Sequence, residues 1–290
     1  MSAARRAVPG PGARLFVALL HVMPQHALSR LVLRATRAQT PWLKNLITRL
    51  FLARFALDMS EALESDPYRY SSFNALFTRA LRPGARPVAA GAGIVVSPVD
   101  GTVSEAGTIE DGRLLQAKGH SYRLEALLAG QPWAARFARG AFATLYLAPH
   151  DYHRIHMPLT GRLLDTVYVP GRLFSVNASA VAHVPGLFAR NERVLTLFEG
   201  ERGAFAVVLV GALNVGSIAT VWAGDVTPAP RRRLTRLPCP PLTLAKGEEL
   251  GRFNMGSTVI VLLESGRGQW LPELRALRPV RLGEPLGTMT

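Results

Sequence analysis

Cysteine is almost missing from this chain: Cys239, set between Pro238 and Pro240, is the only one. It allows no internal disulfide and no multi-cysteine metal centre, which suits a cytoplasmic setting. Lysine is nearly as scarce, with only Lys44, Lys118 and Lys246, so arginine carries most of the net charge of +14. Acidic residues are absent before Asp58, while eight arginines and one lysine fall in that stretch. A clean membrane-spanning run is missing too. Leu15–Met23 is apolar but stops at Pro24, too short to cross a bilayer. Arg5-Arg6 precede it, yet no small-x-small site follows, so no signal peptide is expected. Ala204–Gly224 has no charged residue, but Gly211, Asn214, Gly216, Ser217 and Thr220 interrupt it, and its valines favour two strands about a turn near Leu213–Gly216.

What is present supports one sizeable core with an appended subdomain. The chain has 290 residues, 48% of them hydrophobic and 19% charged. Its charge predicts an anionic partner. Because the N-terminal arginines alternate with Leu, Phe, Val and Ile, an anionic membrane surface is expected and nucleic acid is not. Pro41–Leu57 reads as a helix, with Leu43, Leu46, Ile47, Leu50 and Phe51 on one face and Lys44, Asn45, Thr48 and Arg49 on the other. A helix packed on the protein's own core would show the same pattern. Asp66–Ala80 is expected to form another helix, and Arg82–Pro87 a linker. From Gly91 the pattern changes to short β-runs: Ile94–Val96, Gly101–Ala106, Thr144–Leu147, Leu163–Val169, Val194–Phe198, Ala206–Val210 and Val259–Leu263. The expected fold class is α+β: a basic amphipathic helical region over residues 1–82, then a mainly β catalytic domain over 88–290.

Three stretches carry chemistry. Ser97-Pro-Val-Asp-Gly101 puts Asp100 at a strand end, although an Asp-Gly turn would look the same. Asp151-Tyr-His-Arg-Ile-His-Met-Pro158 carries His153 and His156, with His150 just before it. These histidines lack an acidic or cysteine partner at a zinc spacing, so general acid–base work is expected rather than a metal site. Gly256-Ser257-Thr258 places a hydroxyl beside a glycine carbonyl at the entrance to a strand, where the bland alternative is a polar turn. Asp100, His156 and Ser257 together supply the parts of an acid–base–nucleophile relay. The hydrolase elbow Gly-x-Ser-x-Gly is absent, since Val259 stands where its second glycine belongs. A membrane-bound serine hydrolase with an uncleaved Asp100/His156/Ser257 relay, and a non-enzymatic membrane-docking protein, both remain open on these residues.

The ordered set Ser97–Gly101, Asp151–Pro158, Tyr168–Asn177, Leu187–Arg193, Val210–Ser217 and Phe253–Thr258 resembles phosphatidylserine decarboxylases of the bacterial, membrane-associated type. The resemblance runs from about Tyr68 to Leu286, with Met255 where the family usually has Leu. It implies a core of packed sheets and a proenzyme that cuts itself between Gly256 and Ser257. The products would be a β chain, 1–256, and an α chain, 257–290, held together non-covalently and open to further dimerisation. Asp100 and His156 would serve the cleavage. Ser257 would become a covalent pyruvoyl group that forms a Schiff base with phosphatidylserine and replaces any pyridoxal cofactor. His153 is the candidate proton donor, and Ser175 and Asn177 are candidates for the head-group site. The implied location is peripheral, on the cytoplasmic side of the cell membrane.

Overall fold

The computed structural model describes residues 23–117, 120–213, 217–229, 232–256 and 258–290. The arm over residues 1–14, nearly all of the Leu15–Met23 run, most of the expected turn near Leu213–Gly216, and Ser257 lie outside them.

Apolar, β-branched runs build the centre. Strand β1 is Ile94–Val96, β2 Gly101–Thr108, β3 Ala141–Tyr146, β4 Arg154–His156, β5 Gly161–Val169, β6 Arg193–Gly200, β7 Gly203–Val210, β8 Ile218–Thr220, β9 Glu249–Phe253, β10 Thr258–Leu263 and β11 Pro285–Met289. An antiparallel nine-stranded sheet runs β5-β6-β7-β10-β3-β2, extended at its edges by short strands. Every residue of β10 is buried. It pairs with β3 on one side, from Thr258 opposite Tyr146 to Leu263 opposite Ala141. On the other side it pairs with β7, from Thr258 opposite Val210 to Leu263 opposite Phe205. Burial on both faces explains why its sequence is continuously apolar rather than alternating. A smaller four-stranded sheet contains β8, β9 and β4, and a three-stranded one joins β1, β11 and Gly268–Trp270. The expected pair of strands in Ala204–Gly224 exists as β7 and β8, but they enter different sheets and form no hairpin. A short helix runs over Leu124–Leu127.

The N-terminal region is helical: α1 is Gln25–Arg37, α2 Pro41–Arg54 and α3 Phe73–Phe77. Helix α3 is much shorter than the expected Asp66–Ala80. Ser72 caps it by accepting the Ala75 N–H at 3.1 Å, while the Asp66 carboxylate accepts the Tyr68 N–H and locks a turn upstream. Phe73 and Phe77 pack on Phe51 of α2. The expected apolar face of α2 is therefore split. Ile47 and Phe51 face α3, and Thr48 from the polar side is buried at 1% exposure. Trp42 and Leu50 remain 69% and 61% exposed. Helix α1, which the sequence pattern did not announce, likewise buries Gln25, Ser29 and Thr36 and turns Leu31 outward. Among the described residues no helix is long and apolar enough to cross a membrane. Helices followed by packed antiparallel sheets make the fold α+β.

Candidate active site

The chain crosses from the small sheet to the large one between Phe253, the end of β9, and Thr258, the start of β10. Gly256 lies in that crossing. Strand β4 pairs with β9, with His156 opposite Glu249 and Arg154 opposite Arg252. The Phe253 N–H then donates to the His153 carbonyl at 3.0 Å. This register sets His153 directly beside the crossing. A Cβ added at Gly256 would stand 3.3 Å from His153 Cε1 and 3.9 Å from Nε2, so the imidazole edge is directed at the glycine. A side chain at this position would press on the ring, which would have to give by a few tenths of an ångström.

His153 is fully buried, and its ring stacks on Phe77 with centroids 4.0 Å apart and planes 15° apart. Neither ring nitrogen has a hydrogen-bond partner among the described residues. Burial pushes its pKa down to about 3, and the Arg79 charge acts in the same direction. The imidazole is therefore neutral at physiological pH. A buried polar ring with no partner among the described residues marks a place where another group is expected.

Gly256 lines a cavity of about 290 Å³ together with Phe51, Phe55, Phe77, Ser175 and Asn177. Ser175 and Asn177 thus share a wall with the glycine. Their polar atoms also serve the local turn. Asn177 caps helix Ala178–His183 by accepting the Ala180 N–H at 2.9 Å, and the Ser175 hydroxyl accepts the Asn177 N–H at 3.4 Å. Asn191, a residue the motif reading did not single out, fixes the surroundings. Its Oδ1 accepts the Phe174 N–H, and its Nδ2 donates to the carbonyls of Phe174 and Gly211.

His156 lies elsewhere. Its Nδ1 is 2.7 Å from the Gly247 carbonyl, and its Nε2 is 3.1 Å from the Tyr152 hydroxyl. A carbonyl can only accept, so Nδ1 carries the proton and Nε2 accepts from Tyr152. Burial lowers the His156 pKa, opposed by the Gly247 carbonyl and by the charges of Glu249 and Asp100. Asp100 makes no hydrogen bond to His156. It is gripped by Arg86, whose Nε lies 2.9 Å from Oδ1 and Nη2 2.6 Å from Oδ2, and it accepts the Leu282 N–H at 2.8 Å. Arg86 also pairs with Glu61 at 2.8 Å, so the Pro/Gly-rich stretch expected as a linker is fastened to the sheet domain. Asp100 lines a second cavity, of about 340 Å³, with Arg79, His150, Asp151 and Tyr152. The structure therefore brings His153, Gly256, Ser175 and Asn177 together, and holds Asp100 and His156 behind them, coupled by charge rather than contact. His150 is an exposed neighbour of Asp151, 3.7 Å away. No group of three His, Cys, Asp or Glu among the described residues could hold a metal ion.

Comparison with known proteins agrees with this arrangement. A family model described as phosphatidylserine decarboxylase matches residues 73–288, and one described as PSD matches residues 15–56. The chain is 52% identical over 279 residues to the phosphatidylserine decarboxylase proenzyme of Pseudomonas fluorescens, covering 94% of this chain and 97% of that one. The proenzyme of Azotobacter vinelandii is 50% identical over 279 residues, covering 94% and 98%. That of Ectopseudomonas mendocina is 52% identical over 280 residues, with the same coverage. A sheet domain that meets a glycine with a buried imidazole, matched along nearly its whole length by such proenzymes, belongs to the phosphatidylserine decarboxylase family.

Proposed function

We propose that this chain is a proenzyme that cuts itself between Gly256 and Ser257 and then decarboxylates phosphatidylserine to phosphatidylethanolamine and CO2. The observation that carries the reading is the edge of His153 against Gly256, with no ring-nitrogen partner among the described residues, beside a cavity that Gly256 lines with Ser175 and Asn177. A group formed at position 257 adjoins that glycine, so the residues present fit a small carbonyl group there. The pyruvoyl group, when formed, supplies the electron sink that a decarboxylation needs.

The chain's own residues do the rest. In self-cleavage the Ser257 hydroxyl attacks the Gly256 carbonyl, with His156 as base and Asp100 behind it. His156 can accept that proton only if Nε2 gives up its bond to Tyr152. In decarboxylation His153 holds and returns the proton. Burial keeps it neutral in the empty site, and the anionic head group raises its pKa on arrival, so the proton is carried when substrate is present. Ser175 and Asn177 orient the head group from the cavity wall, and Phe51 and Phe55 border the same space with apolar surface.

The substrate's location accounts for the N-terminal region. Trp42, Leu46 and Leu50 point outward from α2, the helix that supplies Phe51 to the cavity, with Phe55 just past its end. The arginines around them suit an anionic bilayer, and the exposed apolar residues suit peripheral docking on its cytoplasmic face. Residues 1–82 then form the membrane-associating region and 88–290 the catalytic domain.

The test is denaturing electrophoresis and mass spectrometry of enzyme that is active on phosphatidylserine vesicles. The wild-type chain is expected to give two fragments, the smaller bearing a borohydride-reducible carbonyl, and Ser257→Ala a single inactive chain. An active, uncut chain labelled at Ser257 by a fluorophosphonate would instead identify a serine hydrolase.

A further inference from the structure

Gly256 sits between two fixed points. On one side β10 begins at Thr258, already paired with both neighbouring strands. On the other, Asn254 is held by three separate segments. Its N–H donates to the Ser217 carbonyl at 2.9 Å. Its carbonyl accepts from Nδ2 of Asn74, on α3, at 2.8 Å. Its own Nδ2 reaches Asp225 Oδ1 at 3.4 Å. Asp225 also accepts the Ser217 hydroxyl at 3.0 Å and takes the Arg37 guanidinium of α1 in a two-pronged pair, at 2.6 and 3.0 Å. Burial raises the Asp225 pKa, but Arg37, Ser217 and Asn254 outweigh it and hold the carboxyl below its usual value, so it is ionised here. Asn254, Asn74 and Ser217 are buried. Helices α1 and α3 thus both converge on one residue, two positions before the scissile carbonyl.

We propose that Asn74 and Asp225 are positioning residues for self-cleavage: by fixing Asn254 they hold the Gly256 carbonyl within reach of the Ser257 hydroxyl. The inference rests on the self-cleaving reading above. In the first step the hydroxyl oxygen bonds to the Gly256 carbonyl carbon, the carbon–nitrogen bond to residue 257 breaks, and the hydroxyl proton ends on the freed nitrogen. Such a step needs its reacting atoms held about 3–3.5 Å apart, and a turn free at one end spends little time there. Asn74 and Phe77 lie on the same five-residue helix, so α3 positions both the turn and the imidazole stacked on it.

The experiment follows pulse-labelled full-length chains for the rate of fragmentation. It runs beside thermal unfolding of the same substitutions in a Ser257→Ala background, where no cut can occur. Asn74→Ala and Asp225→Ala are expected to slow fragmentation about tenfold each. Decarboxylation per cut molecule should stay within about twofold of wild type. Asp225→Asn keeps an oxygen facing Ser217 and Asn254 and loses the charge and the Oδ2 acceptor facing Arg37, so it should cut at close to the wild-type rate if the bonds to Asn254 are what matter. Wild-type fragmentation rates in both alanine chains would overturn the proposal. So would slowing that merely tracks loss of the folded fraction in the Ser257→Ala background. Should Asn74→Ala fail to fold, Asp225→Ala decides alone, since that side chain is 44% exposed and tolerates truncation. A wild-type chain that never fragments would sink the self-cleaving reading itself, a different result from uniform cutting.

Discussion

Strand β10 and helix α2 are both rich in large apolar residues, yet they treat them in opposite ways. Every side chain of β10 is buried and its two edges are fully paired. On α2 a threonine is buried while Trp42 and Leu50 stand exposed. The first pattern is what water imposes on a folding chain. The second follows when part of the surroundings is itself apolar, and arginines without neighbouring acids fit the same reading. One molecule therefore shows a core built against water and, on the proposed reading, a face that meets an anionic bilayer.

The largest effect that could break this contrast is expected in the strand. Ile260→Ala removes a fully buried side chain and should cost about 2–5 kcal/mol of stability, measured by urea unfolding in the Ser257→Ala background. A cost below about 0.5 kcal/mol would mean that β10 is not the centre of the core. On the helix, replacing Trp42, Leu46 and Leu50 together by serine should weaken binding to anionic vesicles by about a hundredfold or more, since each apolar side chain contributes about 1–3 kcal/mol when buried. The unfolding midpoint should hardly move. The reverse outcome, unchanged binding with lost stability, would make α2 an ordinary packed helix.

A third measurement sharpens the contrast through pH. His153 is held near pKa 3 in the fold against about 6.5 in the unfolded chain. Between these values the unfolded chain binds a proton that the folded chain refuses, so stability falls as pH drops from 6.5 toward 3. The slope from this group approaches about 1.4 kcal/mol per pH unit. His153→Gln should remove that part of the slope while those of the other histidines remain. The smallest effect is expected at Tyr152. Tyr152→Phe frees Nε2 of His156 and should leave self-cleavage as fast or up to about fivefold faster, the equivalent of about 1 kcal/mol. Slower cutting would give the hydroxyl a direct part in the reaction.

The long strands of the large sheet were legible in the sequence because burial on two faces writes a continuous apolar signal, as in Thr258–Leu263, whereas β4, β9 and β11 of the smaller sheets were not singled out. The motif order also gave the crossing at Gly256. The helices were harder to read. Helix α1 is amphipathic, but its inward face carries Gln25, Ser29 and Thr36 beside Leu33, so its apolar stripe does not mark the side that packs. Helix α3 was drawn too long because the local bonds of Ser72 and Asp66 compete with helix formation, and residue spacing alone does not weigh them. Within the site, the contacts that matter join distant segments. Phe77 stacked on His153, Arg86 on Asp100, Tyr152 at His156 and Asn191 between two loops all depend on sheet register, which residue spacing does not fix. A polar residue left at a motif edge, such as Asn191 or Asn254, was the available hint.

Residues 258–290 supply a central strand to the large sheet, β11 to another, and the edge strand Pro279–Val280 paired with β2. A chain severed at residue 256 would thus be woven through its partner fragment and could not be exchanged without dismantling both sheets. Folding would become a one-way event with a memory: the intact precursor can find this topology as a single polymer, whereas two separated pieces would have to meet and interlace at cellular dilution. Denatured mature enzyme is then a dead end, and fresh synthesis the only way to replace it.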